Sequence, residues 1–356
     1  MGSFFSFITV KFLGLFFHRK KVTVFDIFFS YRLILKRLPD LQGWSHYMRQ
    51  KRESGLSLES LTDTFLRSPE FLRKEGSSRE GTDPLNYETL PIEEEVVALP
   101  DFRIIIDKND QFIGKAIKRD NCYEPYVTRV INAILKPEQT FVDIGANIGY
   151  FSLLASRRVG PRGRVIAFEP MAQNFSLLLR SIQLNGFQNI EPHAIALSNE
   201  NKIVKMILWE RRNSGSFHLL NDPHWNREIY SVQARRLDDL LEGKRADLIK
   251  IDVEGAEGLV FQGMSDTLRK HQPIVIMEYT PLGLRDISKI PGEELLRAFE
   301  SLYYSFQDVE SFDGKLCGKP VQQLEDLLRR RKTGHLDLIL FPRSIAGLLK
   351  GKAGGQ

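Results

Sequence analysis

Residues 140–150, TFVDIGANIGY, decide the fold, because an apolar run ends there in an acid and two glycines as a helical pattern begins. Phe141, Val142 and Ile144 read as the end of a buried parallel strand. Asp143, Gly145, Asn147 and Gly149 form the turn, and Phe151, Leu153, Leu154 and Ala155 open a helix whose first amides face it. Glycine lets a backbone approach a ligand closely and permits positive φ, so the turn suits a ligand with a ribose and charged groups. A dinucleotide fingerprint asks for G-x-G-x-x-G, whereas positions 145, 147 and 150 are Gly, Asn and Tyr. The NAD reading is weakened. An acid two residues before the first glycine is placed to meet a cationic amino group, which fits a zwitterion such as S-adenosylmethionine better.

Downstream of this turn, strand and helix patterns alternate. Strands are expected at 164–168, 190–196, 248–253 and 274–279, and helices at 174–184, 257–270 and 292–302. Residues 304–309 and 336–341 would form a final antiparallel pair. Upstream, 102–106 and 111–117 read as a short hairpin around 108–110, followed by a helix at 127–135. Such alternation marks an α/β protein with a doubly wound sheet, here of seven strands.

Two further signals sit at strand ends. Glu169 follows the strand 164–168, 24 residues after Gly145, where an acid can accept both ribose hydroxyls. The stretch LIKIDVEGAE, 248–257, crowds Asp252, Glu254 and Glu257 at the carboxyl end of another strand. Like charges so close need a cation, which the sulfonium and amino group of S-adenosylmethionine or a metal would supply. Glu254 and Glu257 also suit the first turn of a helix as capping acids. No spacing is specific to a metal.

These stretches together resemble the FkbM family of S-adenosylmethionine-dependent methyltransferases. The likeness rests on NCYEPYVTRVINAILKPEQTFVDIGANIGYFSLLA, VIAFEP, residues 194–198 and LIKIDVEGAEGLVFQGM, and it spans about 96–343. The resemblance implies a Rossmann-like methyltransferase sheet of seven strands and methylation of hydroxyl oxygens, with sugars and polyketides among the acceptors. It implies Asp143, Gly145, Asn147 and Gly149 as the first cofactor loop, Glu169 as the ribose acid, and Asp252 and Glu254 facing the cofactor's reactive end. A sugar hydroxyl is a poor nucleophile while protonated, so a base must take its proton. The candidates are Glu254, Asp252 and His193, with Glu278 as an outsider. The insertion 201–235 carries Trp209, Ser214, Gly215, Ser216, His218 and Trp225, which suit stacking on a sugar or equally a plain hairpin.

The amino-terminal third is of another kind. Residues 1–23 pair an apolar run, FFSFITVKFLGLFF, with a basic cluster, too short and interrupted for a confident span. Residues 24–73 form a small all-α module, and 74–95 an acidic linker. The module resembles a helical domain of unknown function found in bacterial proteins and related to phycobilisome linkers, through Tyr31, Arg32, Leu35, Arg37, Pro39, Asp40, Gly43, Tyr47 and 68–71. That resemblance implies recruitment or assembly. The methyltransferase domain then covers 96–343, with a flexible tail at 344–356.

The chain of 356 residues is 42% apolar and 27% charged, values of a globular protein. Its net charge of +5 is uneven: 1–52 carry +8 and 53–95 carry −7. A basic start beside an apolar run points to a protein partner or an anionic membrane surface. No nucleic-acid motif is present. Cys122 and Cys317 match no metal or redox spacing, so the reading is cytoplasmic, with a peripheral place at the inner membrane face left open. The expected function is O-methylation of a glycan, glycolipid or related metabolite. The rivals are a non-catalytic, cofactor-binding recruitment protein and a nucleotide-dependent oxidoreductase.

Overall fold

The computed structural model describes residues 92–208, 215, 217–219, 229–241, 243–331 and 334–346, with 46–50, 61 and 64 of an amino-terminal unit. The chain divides into two compact units, Met1–Glu88 and Thr89–Gln356. In the first, 46–50, 61 and 64 are helical and Leu61 is fully buried. The apolar start, the rest of the helical module, the linker up to 91 and the tail from 347 lie outside the described residues. Among the described residues, no helix is long and apolar enough to cross a membrane.

The second unit opens with β1 (Glu94–Ala98) and β2 (Arg103–Asp107), an antiparallel hairpin. This corrects the expected pairing of 102–106 with 111–117, and places the first strand two residues before the expected domain start. Residues 113–120 are instead a helix, α1 (Ile113–Asp120), in which Ile113 and Ile117, one turn apart, are both buried. Phe112, whose apolar side chain suggested a strand, is exposed. Helix α2 (Pro125–Ile134) follows, with proline in its first turn, where the missing N–H costs nothing.

The quoted stretch becomes β3 (Thr140–Ile144) and α3 (Tyr150–Val159). The chain continues through β4 (Arg164–Phe168), α4 (Ala172–Asn185) and β5 (Ile190–His193). The strand expected at 190–196 therefore ends early. After His193 the chain leaves the main sheet and forms a second one with β6 (Ala196–Leu197), β7 (Lys202–Leu208), β8 (Phe217–Leu219) and β9 (Ile229–Arg235), in the order β6-β9-β7-β8. Helix α5 (Leu237–Leu241) leads back to β10 (Leu248–Ile251). The helix expected at 257–270 is broken at Met264 into α6 (Glu257–Gly263) and α7 (Ser265–His271). Then come β11 (Ile274–Tyr279), α8 (Gly292–Ser301), β12 (Tyr304–Asp308), α9 (Val321–Arg330) and β13 (Leu336–Pro342).

The main sheet has seven strands in the order β12-β13-β11-β10-β3-β4-β5, and β13 alone runs against the others. Its core is continuous, from Phe168 and Ile144 through Ile249 and Met277 to Phe306 and Leu338. The chain enters this sheet at its middle, builds outward through β4 and β5, and returns to add β10 on the other side of β3. The carboxyl ends of β3 and β10 are therefore the point where strand order reverses, where such sheets open a crevice for ligands.

Candidate active site

A pocket opens at that point, with about 970 Å³ of empty space counting its mouth. Gly145, Asn147, Glu169, Asp252 and Glu254 all line it, so three separate stretches of sequence converge there. Apolar walls come from Phe168, Met171 and Ile195, and the insertion adds Met206, Gly215 and Leu219. Trp209, Ser214, Ser216 and Trp225, and the side chain of His218, lie outside the described residues.

Glu169 organises the loop. One carboxylate oxygen accepts the Asn147 N–H at 2.9 Å and the other accepts the Met171 N–H at 2.8 Å. The turn is thus tied across from β3 to β4. Asn147 takes a left-handed backbone, φ +50°, where the dinucleotide motif would have glycine, a conformation asparagine tolerates better than most residues.

Asp143 does not take the position expected of it. It is fully buried behind the loop rather than lining the pocket, and its Oδ2 accepts the Ser152 hydroxyl at 2.6 Å. It anchors the start of α3. Gly149 likewise lies outside the lining; its φ of +93° makes the turn into α3. His193 is also outside the lining. Its ring stacks on Phe168 at 5.0 Å and its Nε2 lies 3.2 Å from Glu191 Oε1.

The cation that the crowded acids require is in the protein. Lys250, in the middle of β10, places its Nζ 2.9 Å from Asp252 Oδ2 and 4.8 Å from the centre of the Phe151 ring. A single lysine inside the apolar stretch LIKI was the available signal. Glu124, at the start of α2, also escaped the reading of the sequence. It lines a small cavity beside the main pocket together with Lys250, Asp252, Glu278 and Asp337. Glu257 holds the turn that precedes α6, its Oε1 accepting the Val253 and Gly255 N–H groups at 3.1 and 3.2 Å.

The comparisons with known proteins agree with this architecture. Residues 143–337, over half of the chain, match the family described as methyltransferase FkbM domain. The chain belongs to the FkbM methyltransferase family. Relatives include Methyltransferase 1 of Beauveria bassiana, 30% identical in an alignment that covers 44% of this chain and 68% of that protein. Methyltransferase sdnD of Sordaria araneosa is 28% identical over 49% of this chain and 77% of its own. Among solved structures, methyltransferase FkbM from Methylobacillus flagellatus aligns with a TM-score of 0.35 at 15% identity, over 88% of this chain and 58% of that one.

In this FkbM domain four glutamates at or beside the pocket, Glu124, Glu169, Glu254 and Glu278, are pushed toward their neutral forms. Burial pushes Glu169 up to about 7, against the two N–H bonds that favour its charge. Burial, with the Asp252 charge adding to it, pushes Glu254 up to about 8 and Glu278 up to about 10. Burial raises Glu124 to about 8, although Lys250 pulls the other way. An acid whose folded pKa lies above its unfolded value binds more protons folded than unfolded. Its contribution to stability is greatest below the ordinary 4.5 and falls as pH rises through the folded value. The ligand-free protein should therefore lose thermal stability steadily from pH 5 to pH 8, and Glu278→Gln should flatten that slope. Thermal melts at a series of pH values would show it; a wild-type melting point that rises across this range would contradict the arrangement.

Proposed function

We propose that the protein transfers a methyl group from S-adenosylmethionine to a hydroxyl oxygen of a glycan, glycolipid or related metabolite. The observation that carries this reading is the convergence of Glu169 with Asp252 and Glu254 in one pocket at the sheet's switch point.

The residues present fit that cofactor. At Gly145 a Cβ would stand 1.9 Å from the Asp252 carbonyl oxygen, so the loop is drawn as close to β10 as glycine allows. Glu169 accepts the Asn147 and Met171 N–H groups and the Asn174 side chain, and a carboxylate has capacity for one further donor, such as a ribose hydroxyl. Phe168, Met171 and Ile195 offer the apolar surface that an adenine ring requires, and Asp252 the negative end that a sulfonium and an ammonium require. When bound, S-adenosylmethionine supplies an electrophilic methyl group already activated by positive sulfur. The chain's own work is then to align an acceptor oxygen and take its proton.

Glu254 suits the second task. It lines the pocket on a left-handed turn, φ +54°, and its affinity for a proton lies near neutral pH, where a general base is most effective. Its carboxylate would accept the hydroxyl proton while the acceptor attacks.

Calorimetric titration with S-adenosylmethionine, S-adenosylhomocysteine and NAD tests the cofactor. Binding of the first two without NAD is expected; NAD alone, or no binding, would sink the reading. Label transfer from methyl-labelled cofactor to a panel of glycans and glycolipids then finds the acceptor. Glu254→Gln should keep cofactor affinity while lowering turnover by roughly 10²–10⁴-fold, the usual worth of a general base. Turnover unchanged in that variant would remove Glu254 from the role.

A further inference from the structure

Lys250 is the charge in the site to which the transfer chemistry assigns no task. It is only 4% exposed, in the centre of the sheet, paired in register with Asp143 on β3 and Ile276 on β11. A buried ammonium is costly, and well-packed apolar residues often serve stability as well as a buried ion pair does. Stability alone does not account for a lysine here.

What surrounds it does. Its Nζ touches one carboxylate, Asp252 Oδ2 at 2.9 Å, and that side chain is 29% exposed, in the pocket wall. The acids facing this pair come from every neighbouring element: Asp143 on β3, Glu124 before α2, Glu254 and Glu257 after β10, Glu278 on β11 and Asp337 on β13, with the Tyr123 phenol beside them. One ammonium cannot sustain so many anions. It sustains the one it touches.

We propose that Lys250 is a positioning residue of the transfer site, holding the Asp252 carboxylate, charged and fixed in direction, in the wall of the cofactor pocket. The surrounding acids are pushed toward their neutral forms by burial, and Lys250 separates Asp252 from them. The site then offers a positively charged ligand one fixed anion, with neighbouring acids left able to exchange protons. This assignment rests on the cofactor reading above.

The test uses the full chain carrying Lys250→Met, of similar length but uncharged, with S-adenosylmethionine affinity measured by calorimetry from pH 5.5 to 8.5. At pH 7 affinity should fall about tenfold, the worth of about 1.4 kcal/mol. In the Asp252→Asn background the same change should alter affinity less than about twofold, because Lys250 acts through Asp252. A Lys250→Met profile that superimposes on wild type, or an equal loss in the Asp252→Asn background, would overturn the assignment. Infrared difference spectra of wild type minus Asp252→Asn at pH 6 test it without altering Lys250. An ionised-carboxylate band supports it and a protonated-acid band refutes it, even where Lys250→Met does not fold. Failure of the wild type to bind S-adenosylmethionine would instead strike at the cofactor reading.

Discussion

Replacing Glu169 by alanine should reduce S-adenosylmethionine affinity by at least about a hundredfold and lower stability as well. Both carboxylate oxygens are engaged: Oε2 takes the Asn147 N–H at 2.9 Å and Oε1 the Met171 N–H at 2.8 Å. Alanine leaves these two donors without their acceptor in a site where Glu169 itself is 4% exposed. Each unpaired buried donor costs about 1–3 kcal/mol, and the charged acceptor for a ribose hydroxyl is lost in the same step, a further bond worth about 1.5–3 kcal/mol. At about 1.4 kcal/mol per factor of ten, two such losses that fall on the bound state already give the hundredfold. Glu169→Gln, with one carbonyl acceptor remaining, should fall between wild type and alanine. Calorimetry and thermal melts on the three proteins decide it. An alanine variant that binds within about threefold of wild type would mean that Glu169 neither shapes the loop nor meets the ligand.

Gly145→Ala should be the most destabilising single methyl in the site. The position has φ +81°, which an L side chain rarely adopts, and the added Cβ would stand 1.9 Å from the Asp252 carbonyl oxygen and 3.0 Å from its carbon. That carbonyl cannot simply withdraw. The Asp252 N–H donates to the Ile144 carbonyl at 3.0 Å, so moving the peptide opens the junction between β3 and β10. Backbone strain of about 1–3 kcal/mol adds to the clash, and a loss of about 3 kcal/mol or more is expected in urea unfolding. Cofactor binding should disappear even where folding survives. Gly186 is the control: it has φ +68° but nothing within 4 Å of a Cβ, so alanine there costs the strain alone. Equal stability losses at the two positions would show that the close approach of loop and strand is not what matters.

Local pattern was enough for much of this protein. The run FVDI followed by two glycines and an apolar helix yields β3, the turn and α3 without any knowledge of neighbours, because each depends on residues a few positions apart. Glu169 was legible for the same reason, since a fixed strand-helix-strand length places it beside the turn. The seven strands followed from apolar runs of the right length, and the acids of DVEGAE from their place at a strand end.

Who touches whom was a different matter, because register and packing carry contacts between residues far apart in sequence. Asp143 and Lys250 lie 107 positions apart and meet only because β3 and β10 pair in that register. That pairing puts an internal cation beside the acid cluster, and Asp143 lies inward, bonded by Ser152. His193 looked available at its strand end until Phe168 and Glu191 were packed against it. The first hairpin was misread because strand pairing is a choice of partner, and residues 94–98 were the better partner for 103–107. Local sequence by itself determined the elements and the acids at their ends. Only the tertiary structure decided which of those acids face the pocket, which hold the loop, and which one the buried lysine touches.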